Sequence, residues 1–316
     1  MRVLITGVTG FVGGWLAGEL ASHYPQAALF GTTTHSASDV PADLPPGLGL
    51  ITADLTNPDA VRHAVAEAAP THVFHLAGFA SGAGTGAERI NRVNVDATVS
   101  LLSALEAEGS SCRVHLASSG YVYGATAPGK PALETDMPNP AGAYAESKAA
   151  MEKAVRPYAE TGLLSLTVTR SFNHTGPRQA IDFVVPAFAK QIARIEKGLE
   201  PPVVRVGNLE AKRDFLSVQD VVRAYRLLLF ESDPAPWRVV NVASGVGVTI
   251  RSLLDTLVAD STTPVTVETD PARLRPSDLP ECVGDSRLLT RLTDWRPEIS
   301  LEETLAGTLN YWRSVT

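Results

Sequence analysis

The sequence predicts an α/β fold, a doubly wound parallel sheet joined to a smaller C-terminal α/β lobe. Short apolar runs alternate with helical patterns through the first half of the chain. A glycine-rich loop follows the first run, and prolines multiply after about residue 171. Strand–helix alternation requires each helix to cross back over the sheet, which covers both of its faces.

The strand candidates are Arg2–Thr6, Ala28–Thr32, His72–Leu76, Arg113–Ala117 and Leu164–Thr169, with a further strand leading to Asp54. They are brief and rich in Val, Leu, Ile and Phe, as strands buried on both faces are. Helical patterns fall near 11–22, 58–69, 87–108 and 142–160. Beyond residue 171, short strands at Val203–Val206, Val239–Val242 and Val265–Thr269 mix with helices near 181–197, 218–230, 249–259 and 300–313. Residues 1–170 are therefore expected to form the first domain, completed by a strand near 238–243. Residues 171–316 are expected to form mainly the second lobe.

Composition removes several classes. The 316 residues are 44% hydrophobic and 19% charged, a soluble globular balance. A net charge of −7 without a basic run argues against a nucleic-acid partner. Cys112 and Cys282 have no zinc spacing, and the seven histidines show no ligand spacing, so no metal is expected. The apolar run at the N-terminus stops at Gly7, too short for a signal peptide or a membrane span. A cytoplasmic location and no membrane partner follow as expectations.

Thr6–Gly13 reads T-G-V-T-G-F-V-G between the first strand and the first helix. Glycine permits the tight turn and close backbone approach, and the helix N-terminus offers free N–H groups to a pyrophosphate. The loop makes the sheet Rossmann-type and places Gly7, Thr9, Gly10, Phe11 and Val12 at a dinucleotide. At the end of the second strand no acid appears until Asp39, whereas Thr33, Thr34, His35 and Ser36 can donate to a 2′-phosphate. NADP(H) is favoured over NAD(H), which stays possible; the arginine usual at that position is missing. Asp54 and Leu55 are placed to contact adenine, and Asp54 can equally serve a turn or cap.

Ala143–Lys148 reads A-Y-A-E-S-K, so Tyr144 and Lys148 share one helix face. The ammonium is expected to pull the phenol below its usual value near ~10, making an acid/base. Ser118 and Ser119 follow the strand at 113–117, beyond whose carboxyl end a ligand would bind.

Together T-G-V-T-G-F-V-G, H-L-A-G at 75–78, N-V-D-A-T at 94–98, S-S-G-Y-V-Y-G at 118–124 and Y-A-E-S-K resemble the extended short-chain dehydrogenase/reductases. S-F-N-H-T-G-P-R-Q at 171–179, G-N-L-E-A-K-R-D-F at 207–215 and R-L-R-P-S-D-L-P at 273–280 resemble the branch of GDP-mannose 4,6-dehydratases and GDP-4-keto-6-deoxymannose reductases, closest to the reductases. The resemblance implies that Tyr144 is the acid/base, that Lys148 holds the nicotinamide ribose, and that Ser119 bonds the reacting sugar oxygen. Asn94 would support the site from beneath. Leu76, Ala77, Gly78, Phe172 and His174 would join the cofactor contacts, His174 through its backbone. Arg213 and Arg275 can grip the phosphates of a nucleotide-diphosphate sugar, and Asn173 can donate to them. Asp278 would accept from ribose or base, and Val184 and Lys190 would contact the nucleotide. A homodimer through the helices near 87–108 and 142–160 is also implied.

Dehydratases of this branch carry an acid directly after the loop serine or threonine. Here Gly120 and Tyr121 follow Ser119, which disfavours dehydration. The expected reaction is NADPH-dependent reduction of the C4 ketone of a GDP-6-deoxy-4-keto-hexose, giving a GDP-6-deoxy sugar such as GDP-rhamnose. The alternatives are an NAD(P)-dependent nucleotide-sugar 4-epimerase, then a 4,6-dehydratase, then a non-catalytic dinucleotide sensor.

Overall fold

A computed structural model describes residues 1–35, 44–80, 84–274 and 279–316. In its first half the chain runs β1 (Arg2–Thr6), α1 (Phe11–His23), β2 (Ala28–Thr33), β3 (Gly49–Thr52), α2 (Pro58–Ala68), β4 (His72–His75), α3 (Ala87–Asn91), α4 (Ala97–Ala107), β5 (Cys112–Ser119), α5 (Ala143–Val155) and β6 (Leu164–Ser171). The second half adds β7 (Asn173–Thr175), α6 (Val184–Glu196), β8 (Val203–Val206), β9 (Lys212–Ser217), α7 (Val218–Phe230), β10 (Trp237–Val242), β11 (Gly247–Thr249), α8 (Ile250–Ala259), β12 (Thr266–Thr269), β13 (Glu281–Cys282), α9 (Arg287–Thr293) and α10 (Leu301–Val315). The helix expected over 87–108 is one run in which a π-helical turn, Arg92–Asp96, joins α3 to α4. The helix expected over 142–160 ends at Val155, where Pro157 follows and a 3₁₀ turn replaces it.

Seven parallel strands form the main sheet in the order β10-β6-β5-β4-β1-β2-β3. The order reverses between β1 and β4, and ligands of such sheets bind beyond the carboxyl ends of strands at that switch point. Two apolar layers cover the sheet. One buries Val61, Leu101, Leu105 and Met151 from α2, α4 and α5. The other buries Leu16, Leu20, Val221, Tyr225 and Leu228 from α1 and α7, with Leu289 and Trp295. Thus α7 and β10, which follow residue 171, pack with the first sheet.

A third core, with Phe188, Ile192, Phe215, Leu254 and Leu309, joins α6, α8 and α10 over β8 and β9. Buried Asp220, in the first turn of α7, accepts from Glu298 N and Ile299 N and so ties the lead-in to α10 against α7. Ser300 and Glu303 then close a capping box that starts α10.

Candidate active site

The loop after β1 turns at Gly7, whose φ of +69° is costly for any residue with a Cβ. A Cβ there would also meet Ala77 Cα at 2.9 Å, and one at Gly13 would meet Gly7 O at 2.3 Å. Helix, loop and the β4 end therefore sit closer than side chains allow. The first turn of α1 has no side-chain cap at Gly10, which leaves its N–H groups to a ligand.

Buried hydrogen bonds hold that loop to the reacting helix. Thr6 Oγ1 accepts from Leu76 N and Ala77 N, both at 3.1 Å, so its own proton goes to His75 Nδ1 at 2.8 Å. His75 then carries its hydrogen on Nε2 and donates to Thr98 Oγ1 at 2.9 Å, and Thr98 donates to Asn94 O. Burial keeps this imidazole neutral, down to about 3. Asn94, within the π-helical turn, accepts from Phe79 N at 2.8 Å and donates to Ser147 Oγ at 2.9 Å. Ser147 in turn donates to Tyr144 O.

A cleft of about 580 Å³ opens over the switch point, lined by Gly7, Thr9, Gly10, Thr33, Asp54, Leu55, Leu76, Ala77 and Gly78. These are nine of the residues expected there. The first turn of α1 presents Phe11, whose ring stacks on His174 at 6.2 Å, while Val12 packs against the α1–α7 core. His35 is exposed, and its N–H donates to Thr33 Oγ1. Asp54 Oδ1 accepts from Thr56 N and Oγ1, which holds its carboxyl below the usual range; the residue thus serves the turn into α2 as well as the cleft. No acid stands at residues 32–35, while Ser36 and Asp39 lie outside the described residues. Arg89 and Arg92 line the same cleft from α3 and the π-helical turn. The sequence showed no cation at the β2 end, and these two come from nearly sixty residues downstream. A glycine cradle, uncapped helix N–H groups and two guanidiniums fit an anionic dinucleotide.

Ser119 ends β5, and α5 carries Tyr144 and Lys148. Tyr144 hydrogen-bonds the Ser119 side chain, yet burial is the larger effect and pushes the phenol up to about 12. This reverses the lowered value expected from Lys148. The Lys148 ammonium donates instead to Ala117 O at 2.8 Å, and it would lie 3.6 Å from a Cβ on Gly78, at the cleft wall. Burial also lowers Lys148 to about 8, against the opposing pull of Glu152. Ser118 does not join the ligand side: its hydroxyl is spent on Glu152 Oε1 at 2.5 Å. Buried Arg170 grips the same carboxylate, Nη2 to Oε2 at 2.7 Å and Nε to Oε1 at 3.1 Å.

The sugar-side residues come from β7 and β9. Buried Arg213 donates through Nε to Tyr121 Oη at 3.1 Å and through Nη1 to Leu279 O at 2.6 Å. Asn173 Nδ2 donates to the same phenol at 3.5 Å. His174 donates from Nδ1 to Phe172 O, since a carbonyl can only accept. The Phe172 ring is buried and fills the space where Gly120 and Gly284 lack a Cβ. Val184 opens α6, and the Lys190 ammonium lies over the Trp312 ring at 5.4 Å, engaged with α10. Arg275 and Asp278 lie outside the described residues.

A parallel sheet with this strand order, a glycine loop after β1 and a Ser–Tyr–Lys cluster at the switch point define an NAD(P)-dependent extended short-chain dehydrogenase/reductase. The chain belongs to the family described as GDP-mannose 4,6 dehydratase, whose model matches residues 4–308. It is 35% identical to a GDP-6-deoxy-D-mannose reductase of Pseudomonas aeruginosa, over 99% of this chain and 97% of that protein. A solved structure of RMD from Pseudomonas aeruginosa complexed with NADPH superposes with a TM-score of 0.86 at 32% identity, covering both chains fully. A UDP-glucose 4-epimerase of Thermus thermophilus solved with NAD also reaches 0.86, at 30% identity and with full coverage of both chains.

Proposed function

We infer that the protein reduces the C4 ketone of a GDP-6-deoxy-4-keto-hexose with NADPH, releasing a GDP-6-deoxy sugar of the GDP-rhamnose kind. The observation that carries this reading is the pairing of the Tyr144 phenol on α5 with Ser119, at the head of a loop without a carboxylate. Gly120 and Tyr121 follow Ser119, and the Tyr144 phenol hydrogen-bonds the Ser119 side chain, with burial favouring its protonated form. Elimination of water needs a second acid/base group, whereas ketone reduction needs a proton donor at one oxygen. The identity to the Pseudomonas reductase supports the same reaction and the GDP-linked substrate.

A nicotinamide held in the cleft beside Lys148 and Gly78 would supply the hydride for C4. Tyr144 gives its proton to the C4 oxygen, a transfer made downhill because an alkoxide is a stronger base than a phenolate. Ser119 hydrogen-bonds that oxygen and keeps it within reach of the phenol. Lys148, held by Ala117 O, brings positive charge to the cleft wall, which stabilises the phenolate left behind. Arg213 faces the diphosphate end, with Asn173 tied to it through the Tyr121 hydroxyl. The test is to supply GDP-4-keto-6-deoxymannose with NADPH and follow reduced-cofactor absorbance; no stoichiometric consumption with this or related 4-keto nucleotides would sink the reading. A 4-epimerase, favoured by the likeness to the Thermus enzyme, would instead interconvert nucleotide sugars without net cofactor turnover.

NADP(H) preference is assigned to the cleft without an acid at residues 32–35 and with Arg89 and Arg92 on its wall. Losing a charge-assisted hydrogen bond costs about 1.5–3 kcal/mol, on the order of ten- to a hundredfold in affinity. Arg92→Ala is therefore expected to weaken NADP(H) by at least about tenfold and NAD(H) by less than about twofold. Fluorescence titration of both cofactors checks it, and equal losses would remove Arg92 from the 2′-phosphate. A homodimer through the helices near 87–108 and 142–160 and a cytoplasmic setting complete this reading. Among the described residues, no helix is long and apolar enough to cross a membrane.

A further inference from the structure

Tyr121 is the second residue after Ser119, in the loop that lacks a carboxylate, and the structure gives it a specific set of partners. Its loop is pinned at both ends. Gly120 leaves no room for a Cβ, which would meet the Phe172 ring at 2.8 Å, and Tyr121 N donates to Ser119 Oγ at 3.2 Å. The Tyr121 hydroxyl accepts from Arg213 Nε at 3.1 Å and from Asn173 Nδ2 at 3.5 Å, with the Arg213 guanidinium 5.9 Å from the ring centre. Tyr121 therefore joins the Ser119 end of the loop, through its backbone, to the buried arginine, through its hydroxyl.

Two hydrogen-bonding capacities in this group are unfilled among the described residues. A phenol that accepts twice has only its proton left to give, and no described acceptor takes it. Asn173 Oδ1 is buried without a partner, although buried polar atoms are almost always satisfied. The trio thus lacks one acceptor and one donor. A sugar phosphate offers both, as non-bridging phosphate oxygens that only accept and ring hydroxyls that donate. The Arg213 charge favours the anionic group at the Tyr121 side.

We propose that Tyr121 is a substrate-binding residue of this enzyme, donating its hydroxyl proton to the sugar-linked phosphate while Asn173 Oδ1 accepts from a sugar hydroxyl. The proposal rests on the nucleotide-sugar reading above. It explains why a phenol suits this position better than an acid. A carboxylate at 121 would repel the phosphate, whereas a phenol accepts from Arg213 and still has a proton to give the ligand. Sugar and diphosphate are thereby set at a fixed distance from Tyr144.

The test uses Tyr121→Phe, which keeps the ring and removes the hydroxyl. Calorimetric titration with GDP-mannose, which has no ketone to reduce, measures binding apart from turnover. Tyr121→Phe is expected to weaken GDP-mannose by about tenfold, the size of one hydrogen bond to a charged group, and to leave NADPH affinity within about twofold. With a reducible 4-keto substrate, KM rises by a similar factor while kcat changes less than about threefold. Tyr121→Glu is expected to bind GDP-mannose more weakly than Tyr121→Phe. Equal GDP-mannose affinity in wild type and Tyr121→Phe would overturn the proposal. So would a matching loss of NADPH affinity, which marks a structural role, or a wild type that does not bind GDP-mannose. If no 4-keto sugar is reduced while the binding contrast persists, the reductase reading fails and Tyr121 keeps its assignment.

Discussion

Tyr144→Phe is expected to lower kcat by ~10²–10⁴-fold, the range contributed by a positioned proton donor. The change removes one oxygen from a ring that stays packed, so the dinucleotide affinity should hold within about twofold, as it would for any group acting only on the proton. Single-turnover kinetics with a 4-keto nucleotide check it, and a loss smaller than about tenfold would move the proton donation elsewhere. The pH profile separates the two groups of the pair. Tyr144, at about 12, stays protonated through the neutral range, so it does not set the alkaline limit. Lys148, at about 8, loses its charge first, and the reduction rate is expected to fall as pH rises past that value.

Removing the carboxylate of Glu152 should have the largest effect on stability. Glu152 is buried, bound to Arg170 through both carboxylate oxygens and to Ser118. Breaking a buried pair by deleting one partner leaves an uncompensated charge, at a cost of roughly 3–5 kcal/mol. Glu152→Ala is expected to lose stability in that range by denaturant unfolding. Glu152→Gln, which keeps the shape, tests the electrostatic link to Lys148. The carboxylate raises the Lys148 value against burial, so its removal lowers that value further. The alkaline limb of the rate profile should then move to lower pH, which a purely structural defect would not do. The sign for folding follows the same logic. Lys148 is held at about 8 against an ordinary 10.5, so the folded protein bears the cost of burying its charge below about 8. Stability from this group therefore rises as pH goes from about 8 to 10.5, and the window opens at lower pH in Glu152→Gln.

Much of the fold was legible because its signals are local. The β-branched run of β1, the glycine spacing of the loop and the alternation up to β6 each report on a few neighbouring residues. The four-residue step from Tyr144 to Lys148 is equally local, since helix geometry alone puts both on one face. The roles of Ser118 and Lys190 were not legible. Each is polar and plausible at a ligand, and only the packed chain shows the first engaged by Glu152 and the second by Trp312. The Asp54 carboxylate shows both sides: its turn with Thr56 is a local motif, while the nearby Arg92 comes from thirty-eight residues away.

By itself the sequence determined a doubly wound sheet, a dinucleotide loop at its switch point, and a serine, a tyrosine and a lysine brought to one edge. Tertiary structure decided what each of those groups has to work with. The sign of the Tyr144 shift follows from how much water is excluded around it, a property of every element packed there. The joining of Tyr121 to Arg213 spans 92 residues, and the chain from Thr6 through His75 and Thr98 to Asn94 crosses three elements. Desolvation, and the choice of partner for each lone pair, depend on residues distant in the chain. Spacing along the sequence carries no record of them.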